Sequence, residues 1–146
     1  MTDLILAILH HLAVFALVGT MIVTRMLLSG PEVDVTRVAR FDAGAGGLST
    51  LVVIVGVCRV LLGGKGWAFY EANPFFWAKI ASFLIIGLLT LPGTVAFLRW
   101  KKAEAANPAF RPDPARMAAL RRLTGWQLLM LVPLLACAAA MARWPF

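Results

Sequence analysis

The residues with the strongest claim to chemistry are an adjacent pair of histidines, His10 and His11, and a single lysine, Lys79, each set inside a long apolar run. Ionisable side chains are costly in hydrocarbon, so a group in such a position needs a partner or a function. Imidazole offered within a bundle of membrane helices is a usual way to hold haem iron, and axial ligation tunes the redox potential. Two adjacent histidines cannot grip both faces of one haem, because successive side chains on a helix diverge by about 100°. The second ligand must come from another helix. Lys79 can supply it as a neutral amine, and Arg59 and Lys65 can pair with haem propionates at headgroup level. His11 is the alternative ligand to His10.

These groups must be positioned by helices that cross a bilayer. Of the 146 residues, 61% are hydrophobic and only 14% charged, and the mean hydropathy is +0.84. Four apolar stretches stand out, Leu4 to Leu28, Phe41 to Leu62, Phe75 to Leu98 and Leu123 to Ala142. Each has about the 20 residues that cross ~30 Å of hydrocarbon at a rise of ~1.5 Å per residue. The sequence therefore predicts an all-α, integral membrane four-helix bundle, with residues 1–146 forming one transmembrane domain and no separate soluble catalytic unit. Met1-Thr2-Asp3 lacks a basic leader, so the first stretch reads as a retained span. Cys58 and Cys137 both fall in spans and are expected to be small buried hydrophobes.

Ser29-Gly30-Pro31 and Gly63-Gly64-Lys65-Gly66 punctuate the chain after the first two spans, and Asn73-Pro74 introduces the third. The longest connection, Arg99 to Arg122, holds Pro108, Pro112 and Pro114 and is expected to end in a short surface helix over Ala115 to Arg122. Pro92 and Pro133 fall within the third and fourth spans and are expected to kink them. No P-loop, dinucleotide fingerprint, Ser/His/Asp set or intramembrane carboxylate pair is present, which excludes the familiar soluble-enzyme chemistries.

The 14 Lys and Arg residues divide unevenly between the two sides. One side carries Arg25, Arg37, Arg40, Arg99, Lys101, Lys102, Arg111, Arg116, Arg121 and Arg122, the other only Arg59, Lys65, Lys79 and Arg143. Positive charge in short loops is retained in the cytoplasm. The expected location is thus the bacterial inner membrane, with both termini on the periplasmic side. Basic loops beside anionic lipid account for the net charge of +7, so no nucleic-acid partner is implied.

Depth and facing bring the candidates together. Counting from the outer face, His10 lies ~9 Å in and Lys79 ~6 Å in. His10 shares a helical face with Ala13, Thr20 and Thr24, and Lys79 with Ser82, Ile86, Thr90 and Gly93. Small and hydroxyl residues favour helix contacts in bilayers, so both should face inward. Trp67, Phe69, Tyr70, Phe75, Phe76 and Trp77 form an aromatic belt at the same side. Among polar groups of the inner third, Arg25, Thr124 and Gln127 stand out.

Leu9-His10-His11, with Arg25 near the end of the first span and Phe76-Trp77-Ala78-Lys79 opening the third, resembles the HemJ-type protoporphyrinogen oxidases. In that family a histidine of an early span and a lysine of a later one are implicated in binding haem b; by type and order His10 and Lys79 take those places. Over nearly its full length the chain also resembles an uncharacterised family of small four-span bacterial membrane proteins, through Gly63-Gly64-Lys65-Gly66, Phe69-Tyr70 and Asn73-Pro74-Phe75-Phe76-Trp77-Ala78-Lys79. The resemblance implies a cytochrome b-like oxidoreductase with a porphyrin substrate, and electron transfer to or from a quinone is the other task open to a haem protein of this kind. Two other arrangements remain open. His10 from two protomers of a homo-oligomer would clamp one haem between them, or the bundle is a non-catalytic module that oligomerises or supports a larger complex.

Overall fold

The computed structural model describes residues 1–30 and 32–144, so the Pro31 part of the first stop signal lies outside the described residues. Helix α1 spans Thr2–Leu27, matching the first apolar run. Helix α2 spans Val35–Leu62 and starts well before the apolar run at Phe41, because the Asp34 carboxylate accepts the Arg37 backbone N–H at 2.8 Å. A side-chain cap, not hydrophobicity, sets that boundary. The one-turn helix α3, Trp67–Glu71, follows Gly66, whose φ of 72° is a left-handed conformation that glycine adopts without strain.

Helix α4, Pro74–Ala106, is fixed at its start by Asn73, a fully buried residue at 0% exposure. The Asn73 Oδ1 accepts the Phe75 N–H at 3.0 Å, and its Nδ2 donates to the Met141 carbonyl at 3.3 Å, tying the start of the third span to the end of the fourth. The helix passes through Pro92 without interruption and continues beyond Leu98. Pro133 acts differently. The fourth span is two helices in line, α5 at Pro114–Leu129 and α6 at Leu131–Ala142, parted at Met130. Pro133 has no N–H for the Leu129 carbonyl, and the next bond, Leu134 N–H to Met130 O, is stretched to 3.4 Å. The expected surface helix over Ala115 to Arg122 is corrected here. Asp113 caps the Arg116 N–H at 2.9 Å, Pro114 opens the helix, and nothing at Arg122 stops it, so this segment is the beginning of the fourth span.

The fold is thus an all-α bundle with four helical segments long and apolar enough to cross a membrane. Large apolar side chains such as Leu12, Phe15, Leu88 and Val132 point outward, as a lipid environment requires. Helix α1 lies along α2, α4 lies along α6 and meets α5, α2 meets α4, and α5 closes the ring against α1. Among the described residues, no Cα of α1 comes within 8 Å of one in α6. The bundle is closed at the end that carries the basic connections and open at the end that carries both termini. Leu28, Val35, Val38, Phe97, Trp100 and Leu120 fill the closed end. A second cluster, including Ala13, Leu17, Met21, Val52 and Ile86, fills the middle.

Asn73→Ala removes both a buried cap and the tie to Met141, so it should destabilise the protein by about 1–2 kcal/mol. Asp113→Ala removes an exposed cap and should cost about half as much. Thermal unfolding in detergent, followed by circular dichroism, should rank the two in that order.

Candidate functional site

Where α1 and α6 part, the open end encloses a cavity of about 290 Å³. His10 lines it from α1, Gly56 and Arg59 from α2, Tyr70 from α3, Lys79 from α4 and Met141 from α6. His10 is placed by the buried stripe that continues through Ala13, Leu17, Met21 and Thr24. Its imidazole lies against Gly56, where a Cβ would stand 3.4 Å from His10 Cε1. The Cε1 and Nδ1 atoms of the ring are thus the ones nearest the α2 backbone at Gly56. The Val52 carbonyl is also close to the ring, yet the buried His10 Nδ1 has no hydrogen-bond partner.

Arg59 sits one turn beyond the buried Val55, and its buried Nε is likewise without a partner. Lys79 is half-buried, on the α4 face that continues to Phe83 and Ile86. The charged and titratable groups that act on His10 are Lys79, Arg59 and His11, and the one that acts on Lys79 is Arg59. No carboxylate is among them. The cavity therefore gathers three basic side chains from three helices in an apolar setting.

Of the four residues the sequence offers for a cofactor, His10, Lys79 and Arg59 line this one cavity and Lys65 does not. The Lys65 Nζ lies 4.1 Å above the Phe69 ring, exposed at the surface. His11 also lies outside the cavity. It is exposed on the lipid-facing side, its Nδ1–H donates to the Ala7 carbonyl at 2.6 Å, and its ring stands edge-on to His10 at 6.3 Å. Above the cavity, Trp67, Tyr70, Phe76 and Trp77 interlock through tilted and edge-to-face contacts of 5.3–6.5 Å. Cys58 and Cys137 are free thiols, and half-buried rather than fully enclosed. Among the described residues no group of three or more His, Cys, Asp or Glu forms a metal site.

Sequence reasoning missed Gly56, whose place depends on what faces it, and put Tyr70 in the aromatic belt without placing it in the cavity wall. It also missed a second cavity, of about 310 Å³, in the closed half of the bundle, where Asp42, Ser49, Thr90 and Thr94 join Thr24, Thr124 and Gln127. The available signal was Asp42, Gly46 and Ser49 recurring on one helical face, overlooked because Asp42 stands at the edge of the apolar run.

The fold and this cavity define an α-helical membrane protein with a basic, apolar-walled site at the open end of a four-span bundle. The chain belongs to the family described as predicted membrane protein (DUF2214), whose model matches residues 2–144. No curated protein and no solved structure matches it.

If the basic groups are held for a ligand, the empty protein carries their repulsion. Lys79→Met keeps the stem volume and removes the charge, so it should stabilise the ligand-free protein by on the order of 1 kcal/mol. A rise in unfolding temperature in detergent is the expected reading, and a fall would show that Lys79 has a structural partner.

Proposed function

We propose that the protein is a haem b-binding redox protein of the bacterial inner membrane, with both termini on the periplasmic side and His10 as an axial ligand. The observation that carries this reading is the convergence of His10, Arg59 and Lys79 from three helices on one cavity, with the buried His10 Nδ1 and Arg59 Nε lacking hydrogen-bond partners. A buried polar atom left without a partner costs about 1–3 kcal/mol, so a histidine kept for packing alone would bond its nitrogen to a neighbour. An available imidazole lone pair is what a metal ligand must offer.

The residues present suit the group. His10 and Lys79 are one imidazole and one amine from different helices, and the Arg59 guanidinium can pair with a propionate. With Lys65 engaged on Phe69, that second role falls to Arg59 alone. With His11 turned to lipid, ligation falls to His10. The cavity has about twice the ~150 Å³ that holds a benzene molecule, so it takes part of a porphyrin, and the rest fits the lipid-facing gap between α1 and α6. Bound haem would supply one-electron chemistry. The chain's own part is to bind and orient the ring through His10 and Lys79, balance its carboxylates with Arg59, and exclude water with the aromatic layer of Trp67, Tyr70 and Phe76.

The resemblance to HemJ-type oxidases supports the same pair of ligands and suggests a porphyrin substrate; a quinone reached from the bilayer fits the lipid-facing gap equally. The excess of basic residues in the connections at the closed end supports the orientation. The alternative arrangement, in which two protomers each offer His10 to one haem, is distinguished by stoichiometry.

The test is spectroscopic. Protein purified after expression with added haem precursor should show a Soret band and a b-type reduced-minus-oxidised spectrum. His10→Ala should abolish both, Lys79→Met should retain haem with an altered spectrum, and His11→Ala should match the wild type. One haem per chain supports the His10–Lys79 pair, and one half per chain the two-protomer clamp. Colourless protein under haem-replete expression overturns the proposal and leaves a non-catalytic membrane module.

A further inference from the structure

The cavity in the closed half has the opposite chemistry. It is walled by Leu17, Met21, Phe83, Ile86 and Phe97, and its polar groups come from all four spans. Asp42 lies 20 residues before Leu62 on α2, a rise of ~30 Å, which places it at the far boundary of the hydrocarbon from the open end. Its carboxylate is half-buried and faces the Thr94 hydroxyl, and no cation is among the groups that act on it.

The donors around it are already committed. The Thr24 hydroxyl donates to the Thr20 carbonyl at 2.9 Å, Thr90 to Ile86 at 2.9 Å and Thr124 to Leu120 at 3.0 Å. Because the Thr90 hydrogen is spent on Ile86, its oxygen must accept, and it takes the Gln127 Nε2–H at 3.3 Å. That fixes which way the Gln127 amide points and leaves Oε1 as an acceptor. The Thr94 hydroxyl faces the Asp42 carboxylate. What this cavity still offers is a carboxylate, an amide oxygen and hydroxyl lone pairs; the Ser49 hydroxyl and the second Gln127 N–H are the donors left. An acceptor-rich pocket that holds a carboxylate and no cation is complementary to a ligand that brings N–H donors and positive charge.

We infer that this second cavity is a binding site for a lipophilic organic ammonium ion, its charged head against Asp42 and Gln127 and its apolar body along Leu17, Met21 and Phe83. The volume of about 310 Å³ is roughly twice that of a cavity holding benzene, suited to an aryl-alkyl amine and far larger than a bare metal ion needs. Amphiphilic cations concentrate at anionic headgroups beside the basic end and reach the cavity from the lipid. The inference is independent of haem at the other cavity.

The experiment uses the full chain in phosphatidylcholine nanodiscs and titrates 2-phenylethylammonium by calorimetry, with 2-phenylethanol as the neutral control and sodium chloride as the competitor. The expected result is saturable binding of one amine per chain, weakened at least about tenfold by Asp42→Asn, with no saturable binding of the alcohol. Gly46→Leu gives a second route that leaves Asp42 in place. Gly46 lines the cavity one turn from Asp42, and a Cβ there meets nothing within 4 Å, so the leucine fills the ligand's space without a clash and should abolish binding. Each variant should keep wild-type helical content, and if Asp42→Asn fails to fold, Gly46→Leu decides. Amine uptake unchanged in either folded variant, or only unsaturable partitioning into wild-type discs, overturns the proposal. So does sodium binding without amine binding, which would reassign the cavity to an inorganic cation.

Discussion

The architecture turns on one missing backbone donor. Pro133 cannot bond the Leu129 carbonyl, and the fourth span parts at Met130 into two helices with different neighbours. Helix α5 closes against α1, whereas α6 stays with α4 and does not approach α1. A straight span would leave no such difference between its two halves. The gap that results is where His10, Arg59 and Lys79 meet, and the Asn73 bond to the Met141 carbonyl holds the parted half against α4 so that the gap keeps its shape.

The bundle interior is thereby divided into two compartments of opposite character. The cavity at the open end is lined by an imidazole, an amine and a guanidinium, with no carboxylate in its wall. At the closed end lie a carboxylate and a set of acceptor oxygens without a cation. Opposite charges in hydrocarbon attract over long distances, so Lys79 and Asp42 would pair if a polar path joined them. Leu17, Met21, Phe83 and Ile86 line both cavities and form an apolar septum between them. Three of the four are at least nine-tenths buried or close to it, packed in the central cluster or against it. Neither compartment therefore supplies a partner to the polar groups of the other.

Much of this was legible from residue order. Apolar run length gave the spans, and helical phase put His10 and Lys79 on inward faces at one level. Boundaries set by capping were not: Asp34 and Asp113 start helices outside the apolar runs, so hydropathy placed those starts too late. Lys65 and His11 were misleading because their partners, the Phe69 ring and the Ala7 carbonyl, are local and leave them outside the cavity. Asp42 was hidden by position. At the edge of an apolar run a carboxylate reads as the end of a span, and only the facing Thr94 on another helix shows that it belongs to the interior. The two prolines illustrate the same limit. Pro92 lies within an unbroken helix and Pro133 at a break, a difference that span-level pattern does not carry.

Elsewhere in the bundle, polar side chains follow the ordinary rule for hydrocarbon and satisfy themselves locally. Thr20 donates to the Leu17 carbonyl, Ser29 to Arg25, Thr50 to Gly46 and Ser82 to Ala78. Arg25, at the closed end, donates to the Arg121 carbonyl and bridges two spans. Against that background the exceptions are local: His10 Nδ1 and Arg59 Nε unbonded in one cavity, and the Asp42 carboxylate without a cation in the other. A fold selected for stability alone would remove such groups, because each is replaceable by an apolar side chain of similar size. Their confinement to the two enclosed spaces, while neighbours on the same helices are satisfied, argues that the spaces are kept for ligands and that the unsatisfied atoms are where those ligands bind.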